Sequence, residues 1–329
     1  MLAANFEKAT FYRYYLCLFT NGFNLSLAVD EGLWHLCANV GRGLVGRLPT
    51  GPIAQSSRLT PDRACIAARR LVDGAMDRDF FASLSGCARA AIAAAMADGL
   101  AVTDKAGDGG DGNFDPVTEA DRRAERALRS AIGACFPDDA IWGEEYGWSR
   151  EGARRVWSLD PVDGTRALVC GLASWAVLVG VVDDGVHVGG MIDLPAVDET
   201  LIALDGATWR GETRVATSGC AGLADARLST TDPYLFDGAD AAGFERVRRA
   251  AKVTRYGLDA MAYARVATGD IDLVVENGLK RHDYDALVAV VRGAGGHVGD
   301  WRGGDDLLGG AIVAASTRTL YDQAVALLA

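Results

Sequence analysis

The chain has 329 residues, 50% of them hydrophobic, and a formal net charge of −11. That length supports a large buried core in one or two domains, and the acidic balance argues against nucleic acid as a partner, since a phosphate backbone needs a basic face. Seven cysteines without C-x-x-C spacing read as reduced thiols, which implies a cytoplasmic protein, and four histidines offer no obvious zinc cluster.

Residues 1–75 carry eight Lys or Arg against five Asp or Glu, which leaves 25 against 39 for the rest. Tyr14–Val29 is apolar but interrupted by Thr20, Asn21, Asn24 and Ser26. It is too short and polar for a membrane span and lacks a signal-peptide layout. Residues 41–57 are rich in Gly and Pro and read as linker. Residues 1–75 are therefore expected to be an extension or a mis-assigned start, poorly ordered and dispensable, ahead of Met76 and a helix over Phe80–Ala97. Lys105 then precedes a Gly/Asp-rich loop, 107–112. Thr118-Glu-Ala-Asp121 fits a capping pattern for a helix over Ala120–Cys135, whose Ala124, Leu128 and Cys135 recur at helical spacing. The short apolar run Ala140-Ile-Trp142 ends in Gly143-Glu-Glu145.

Val156–Leu159 alternates as a strand, and Pro161, which cannot donate to a ladder, is expected to end it. The loop Asp160-Pro-Val-Asp-Gly-Thr165 can then aim Asp160, Asp163 and the Val162 carbonyl at one point, a set of oxygen donors of the kind Mg²⁺ takes. Gly164 permits close backbone approach, and Thr165 is a candidate N-cap for a helix over Arg166–Cys170, whose free amides would form an anion site. Taken alone, the same string also reads as an ordinary Asp-Gly turn. A hairpin follows, Ala176–Val182 with Val186–Ile192 across Asp183-Asp-Gly185. Beyond residue 220, helices over Glu245–Lys252, Asp259–Ala267 and Asp285–Val291 alternate with strands, one of them Ile271–Val275, and a helix over Thr317–Leu328 closes the chain. Asp259 and Asp283 read either as helix caps or as pocket carboxylates, and Glu276 either as a strand end facing water or as a pocket residue. No Ser/His/Asp or Cys/His nucleophile arrangement stands out.

The strings Asp115-Pro-Val-Thr-Glu-Ala-Asp121, Gly143-Glu-Glu145, Asp160-Pro-Val-Asp-Gly-Thr165 and Asp283 followed by Gly293-Ala-Gly-Gly296, in this order, resemble the inositol monophosphatase family of Mg²⁺-dependent, lithium-sensitive phosphatases. The resemblance covers about residues 78–328. It implies an α+β or α/β fold, a layered α-β-α-β-α sandwich with a metal-binding half over residues 76–220 and a second half over 221–329, and the active site between them. It further implies metal ligands at Glu144, Asp160, Val162 through its main chain, Asp163 and Asp283, holding two or three Mg²⁺ ions. Glu144 also counts among the catalytic residues, Asp121 pairs with Thr165 to orient the attacking water, and Gly164, Thr165 and Arg166 belong to the substrate side. Lys105 is then either a solvated lysine or a mobile-loop residue reaching the site, and a homodimer is expected.

Within the family the finer resemblance is to histidinol-phosphate phosphatases. It rests on Asp163-Gly-Thr-Arg-Ala-Leu168, Gly171-Leu-Ala-Ser-Trp175, Tyr256–Tyr263, Asp272-Leu-Val-Val-Glu276, Gly278-Leu-Lys280 and Gly299-Asp-Trp301. This implies hydrolysis of L-histidinol phosphate, a small phosphate monoester whose ammonium and imidazole suit acidic neighbours such as Asp259 and Glu276. The alternative is inositol 1-phosphate or another small sugar or nucleotide phosphate. Leu258, Arg281-His282 and Asp285 depart from the subgroup pattern and are expected near the pocket.

Overall fold

A computed structural model describes residues 76–100, 102–104 and 116–329, together with the backbone of 15–20 and 23–28. By contacts the chain divides into Met1–Arg58 and Leu59–Ala329. In the first unit β1 (Tyr15–Thr20) pairs antiparallel with β2 (Phe23–Ala28). The remaining expectations for residues 1–75, and those for Lys105 and the loop 107–112, lie outside the described residues.

In the second unit α1 (Arg78–Ala97) begins where the Asp77 carboxylate accepts the Phe80 N–H at 2.9 Å. By length and composition this helix could cross a membrane, yet its stripe of Phe81, Leu84, Ala88 and Ile92 is buried in a protein core. After β3 (Val102–Asp104) and β4 (Pro116–Thr118) comes α2 (Glu119–Cys135). An eight-stranded sheet follows: β5 (Ala140–Gly143), β6 (Gly147–Ser149), β7 (Arg155–Asp163), β8 (Ala176–Asp183), β9 (Val186–Leu194), β10 (Glu199–Leu204), β11 (Ala207–Arg210) and β12 (Thr213–Arg214), with the short α3 (Thr165–Val169) between β7 and β8. Its order is β12-β11-β10-β9-β8-β7-β5-β6, antiparallel except where β5 runs parallel to β7.

The last third alternates strands and helices: β13 (Arg227–Thr230), α4 (Gly238–Ala250), β14 (Val253–Tyr256), α5 (Ala260–Thr268), β15 (Leu273–Glu276), α6 (Arg281–Gly293), β16 (His297–Asp300), β17 (Ile312–Ala315) and α7 (Arg318–Leu328). The strands form a second sheet ordered β14-β13-β15-β17-β16. Three apolar clusters define the layers. Phe81 and Leu128 of α1 and α2 pack with Trp157 and Val179 of the large sheet. Tyr263 and Leu287 of α5 and α6 lie with Leu178 and Ile192 of the large sheet and Val274 and Ala314 of the small one. Val247 and Leu320 of α4 and α7 cover Leu273 and Val313 on the outer face of the small sheet. The sandwich is thus α-β-α-β-α, as the motif order implied.

One detail of the central layer sets the height of α6. Gly180 of β8 and Gly190 of β9 are cross-strand partners. A Cβ on Gly180 would stand 2.6 Å from the Asp285 Cβ, and one on Gly190 would stand 2.9 Å from the Ala286 carbonyl. The paired glycines cut a groove in which the helix lies directly on the sheet, and Asp283 is carried to its place by that packing.

Several boundaries differ from expectation, among them the start of α6, at Arg281 rather than Asp285, so that Asp283 lies inside the helix. The strand expected to stop before Pro161 continues to Asp163, because its register with β8 slips between Asp160 and Asp163, and proline is tolerated at such an irregularity. Helix α4 starts at Gly238 rather than Glu245; its Ala- and Gly-rich first turns carry little apolar periodicity, and Gly243 packs against the backbone of Leu328.

Candidate active site

The parallel pair β5 and β7 is the root of the site. Gly143 stands opposite Leu159, and the Glu144 N–H donates to the Leu159 carbonyl at 3.1 Å. Glu144, just past the end of β5, and Asp160, at the register slip of β7, therefore stand side by side at the carboxyl end of the parallel pair, the place where ligands gather in sheets of this kind. Asp121, Thr165 and Asp283 each sit in the first turn of α2, α3 and α6, and Asp259 directly precedes α5.

The two readings of Asp121 turn out to use different oxygens. Its Oδ2 accepts from the Thr118 N–H at 2.9 Å and from the Thr118 hydroxyl at 2.5 Å, closing a capping box. Its Oδ1 accepts from the Thr165 hydroxyl at 3.2 Å, 44 residues along the chain. That hydroxyl also faces the Val162 carbonyl at 3.0 Å. Asp121 is fully buried, and burial holds its pKa above the usual carboxylate value, with Glu144 adding to the rise.

Thr165 does not cap α3, as the sequence suggested. Gly164 is the N-cap, in the left-handed region at φ 77°, which frees the Thr165 hydroxyl to face Asp121. The Ala167 and Leu168 amides both bond the Gly164 carbonyl, and the amides of Gly164 and Thr165 stand at the start of this helix, where backbone donors lack intrahelical acceptors.

Asp160 is 3% exposed and accepts the Val162 N–H at 3.0 Å within the same bend. Burial raises its pKa well above the ordinary value, and Glu144, Asp163 and Asp283 raise it further. Asp163 is raised well above it too, first by burial and then by Asp259, although the Ala260 N–H donates to its Oδ2 at 2.7 Å. Asp283 is not an N-cap: Lys280 holds that position, and Asp283 reaches back to accept the Lys280 N–H at 2.7 Å. Its pKa is raised by burial against the pull of His282.

Four acidic side chains thus press on one another. Every donor, the Val162 carbonyl included, is an oxygen, the donor set of a hard divalent cation. The buried Tyr263 hydroxyl has no hydrogen-bond partner, and its ionisation is pushed well up by burial and then by Glu276, Asp163 and Asp283, so it lies within the same field. The residues present fit Mg²⁺, although among the described residues no three acidic, histidine or cysteine side chains are already gathered into a finished cage.

Asp259 is brought to the same place. Its side chain makes no cap bond and its φ is 47°; a Cβ on Gly164 would stand 2.9 Å from its Oδ2. The Ser174 hydroxyl donates to that oxygen at 3.3 Å. Burial raises its pKa, against Ser174 and Arg166. The cap of α5 comes instead from Asp163, 97 residues away. Glu276 is buried rather than facing water: its carboxylate accepts the Thr231 N–H at 2.6 Å and the Thr230 hydroxyl at 3.2 Å, and burial raises its pKa to about 7.

The departures expected near the pocket resolve differently. Asp285 is 1% exposed under α6, where it meets His187 Nε2 at 2.8 Å and accepts from Arg281 Nε at 2.8 Å. It fastens helix to sheet rather than lining a pocket. His282 does stand at the site as expected, its Nε2 3.2 Å from Asp283 Oδ1 and its ring centroid 5.5 Å from that of Trp142, and Leu258 packs on the central core. Sequence reasoning gave no role to Glu125, Ser174 or Tyr263. Ser174 and Tyr263 lie within strings that carry the finer resemblance, and Glu125 stands four residues from Asp121, which puts both on one face of α2.

A model of the inositol monophosphatase family matches residues 79–329. The chain is 42% identical over 195 residues to the chloroplastic bifunctional phosphatase IMPL2 of Arabidopsis thaliana, covering 58% of this chain and 56% of that protein. It therefore spans little more than half of that relative's length. It is 32% identical over 197 residues to the histidinol-phosphatase of Chlorobaculum parvum, 59% of this chain and 76% of the relative. A solved inositol monophosphatase of Zymomonas mobilis superposes with a TM-score of 0.64 at 33% identity, over 82% of this chain and 99% of that one. With the family's motifs folded into its sandwich, the chain belongs to the inositol monophosphatase family.

Proposed function

We propose that this protein is a Mg²⁺-dependent phosphomonoesterase acting on L-histidinol phosphate. It is a phosphatase of its family, whose enzymes generally use Mg²⁺. The observation that carries the chemistry is the Thr165–Asp121 contact at 3.2 Å beside four mutually repelling carboxylic groups. Glu144, Asp160, Asp163, Asp283 and the Val162 carbonyl would hold two or three ions. Mg²⁺, when bound, supplies the positive charge that acidifies water and steadies charge on the ester oxygens. The Thr165 hydroxyl accepts a hydrogen bond from the attacking water while donating its own proton toward Asp121 Oδ1, so the water's proton has a route to a buried carboxylate. The amides of Gly164 and Thr165 face the phosphate oxygens at the start of α3. Displacement is in line, with no phosphoenzyme.

For the substrate, Asp259 is the group that favours a cationic alcohol. Its carboxylate is buried next to Gly164 and only partly engaged by Ser174, so an ammonium or imidazolium there gains a charge-assisted bond. Glu276 supports it from behind, its oxygens held by Thr230 and Thr231. A second reading, inositol 1-phosphate, draws on the 31% identity to the inositol-1-monophosphatase of Mesorhizobium japonicum. The two separate in one assay: Mg²⁺-dependent phosphate release from L-histidinol phosphate and inositol 1-phosphate side by side. Preference for the first that Asp259→Asn erases supports the proposal; preference for the second overturns it.

A further inference from the structure

The loop bearing Glu144 is held from below by a carboxylate that the mechanism does not use. Glu125 on α2 is completely buried. Its Oε2 accepts the Glu145 N–H at 2.7 Å and its Oε1 accepts the Tyr146 N–H at 3.2 Å. Arg129, one turn on, donates from Nε to Oε1 at 2.7 Å and from Nη2 to the Gly147 carbonyl at 2.5 Å. The middle and the far end of the bend Gly143–Gly147 are thereby tied to one helix face. The fit leaves no slack: a Cβ on Gly143 would stand 2.0 Å from Glu125 Oε1 and 2.3 Å from its carboxyl carbon. Only glycine lets the carboxylate lie flat under the strand end.

We infer that Glu125, clamped by Arg129 beneath Gly143, is the positioning residue that presents Glu144 to the metal ions. The inference rests on the reading of Glu144 as a metal ligand. The physical case is the direction of the bonds. Two consecutive amides, those of Glu145 and Tyr146, point down to Glu125, and the Glu144 amide is committed to Leu159. Three successive peptide units are thus oriented, which leaves the Glu144 side chain little freedom except about its own torsions. A ligand whose backbone is preset binds a cation without first losing that freedom, and groups one step behind the ligands commonly set metal affinity in this way. Asp121 and Glu125 are on one helix, four residues apart. One face of α2 therefore orients the proton acceptor through Asp121 and a ligand through Glu125.

Glu125→Gln keeps the shape but replaces one acceptor by an amide that cannot accept from an N–H and confronts Arg129. Mn²⁺ binding in the absence of substrate, followed by electron paramagnetic resonance of the free ion, reads affinity without turnover. Loss of an outer partner of this kind typically weakens metal binding about 10–100-fold, and a shift of about tenfold is expected here. The Mg²⁺ concentration for half-maximal phosphate release should rise in parallel, while KM for the ester at saturating Mg²⁺ stays unchanged. Gly143→Ala keeps the Glu125 chemistry and displaces the carboxylate, and should give the same shift should Glu125→Gln fold poorly. A merely structural role would lower Tm in both variants and leave the Mn²⁺ affinity alone, and that outcome overturns the inference. Glu144→Gln, run alongside, keeps the two failures apart. Unchanged Mn²⁺ binding in Glu144→Gln sinks the ligand reading itself, whereas weakened binding there with none in the other two sinks only the positioning role.

Discussion

Asp272 and Asp160 are both buried acidic side chains, 1% and 3% exposed, and they are held in opposite ways. Asp272, next to β15, is gripped by Arg227 through Nε at 2.7 Å and Nη2 at 2.8 Å, with the Ser218 hydroxyl at 2.5 Å. Burial pushes its pKa up, but the Arg227 and Ser218 bonds more than offset this and leave it below the ordinary value. Asp160 has burial and three acidic neighbours pushing the same way, and its pKa stands well above that value. Burial alone does not mark a functional carboxylate. What separates the two is whether the fold itself supplies the counter-charge, as at Asp272, or does not, as at Asp160, where the proposed Mg²⁺ would supply it.

The sharpest way to break that contrast is Asp160→Asn. Phosphate release should fall by about 10³-fold, since a ligand and its charge are both lost. The Mg²⁺-free protein should become more stable by on the order of 1 kcal/mol, because a repelling carboxyl is gone; a Tm that falls instead would show that the cluster is not strained. Thr165→Val tests the proton route: kcat should drop about 10²-fold while Mn²⁺ affinity holds, and a kcat within the wild-type range removes Thr165 from the mechanism.

Glu276 sharpens the comparison through pH. Its folded pKa of about 7 lies above the ordinary 4.5. The unfolded chain therefore releases this proton first, and the folded state loses stability as pH rises from 4.5, with the loss complete above 7. Glu276→Gln should gain on the wild type across that window, by up to about 3 kcal/mol, in denaturant titrations at pH 4 and pH 8. An equal difference at both pH values contradicts the assignment. At the other pole, Asp272→Asn leaves Arg227 without its counter-charge and should cost about 2 kcal/mol of stability, with phosphate release at saturating Mg²⁺ unchanged. A loss of activity without a loss of stability would put Asp272 in the wrong class.

Much of the site was legible because its motifs are local. The strand ending in Gly143-Glu-Glu145, the bend Asp160–Thr165 and the helix starts at Asp121 and Asp283 are all read from residues within a few positions of one another, where turn and capping chemistry act. The layered sandwich was legible through the resemblance those motifs carry, and not through periodicity. Where the sequence leaves two readings open, distant partners decide. Thr165 reads both as the N-cap of α3 and, through the resemblance, as the partner of Asp121; Gly164 takes the cap and the Asp121 contact stands, while Asp259 makes no cap bond and Asp163 supplies the bond to Ala260. Asp285 is expected near the pocket as a departure from the subgroup pattern, yet on α6 it stands two positions, more than half a turn, from Asp283 and points into the sheet.

The amino-acid sequence by itself determined which oxygen-bearing residues gather at bends and helix starts, because hydrophobic alternation, Gly164 and the capping strings act over a turn or less. Only the tertiary structure decided which oxygen of Asp121 caps and which faces Thr165, that Glu125 lies beneath Gly143, and that Asp285 rather than water meets His187. Those choices depend on how closely two elements approach, and closeness is set by packing at positions such as the Gly180–Gly190 pair, far in sequence from the groups it brings together.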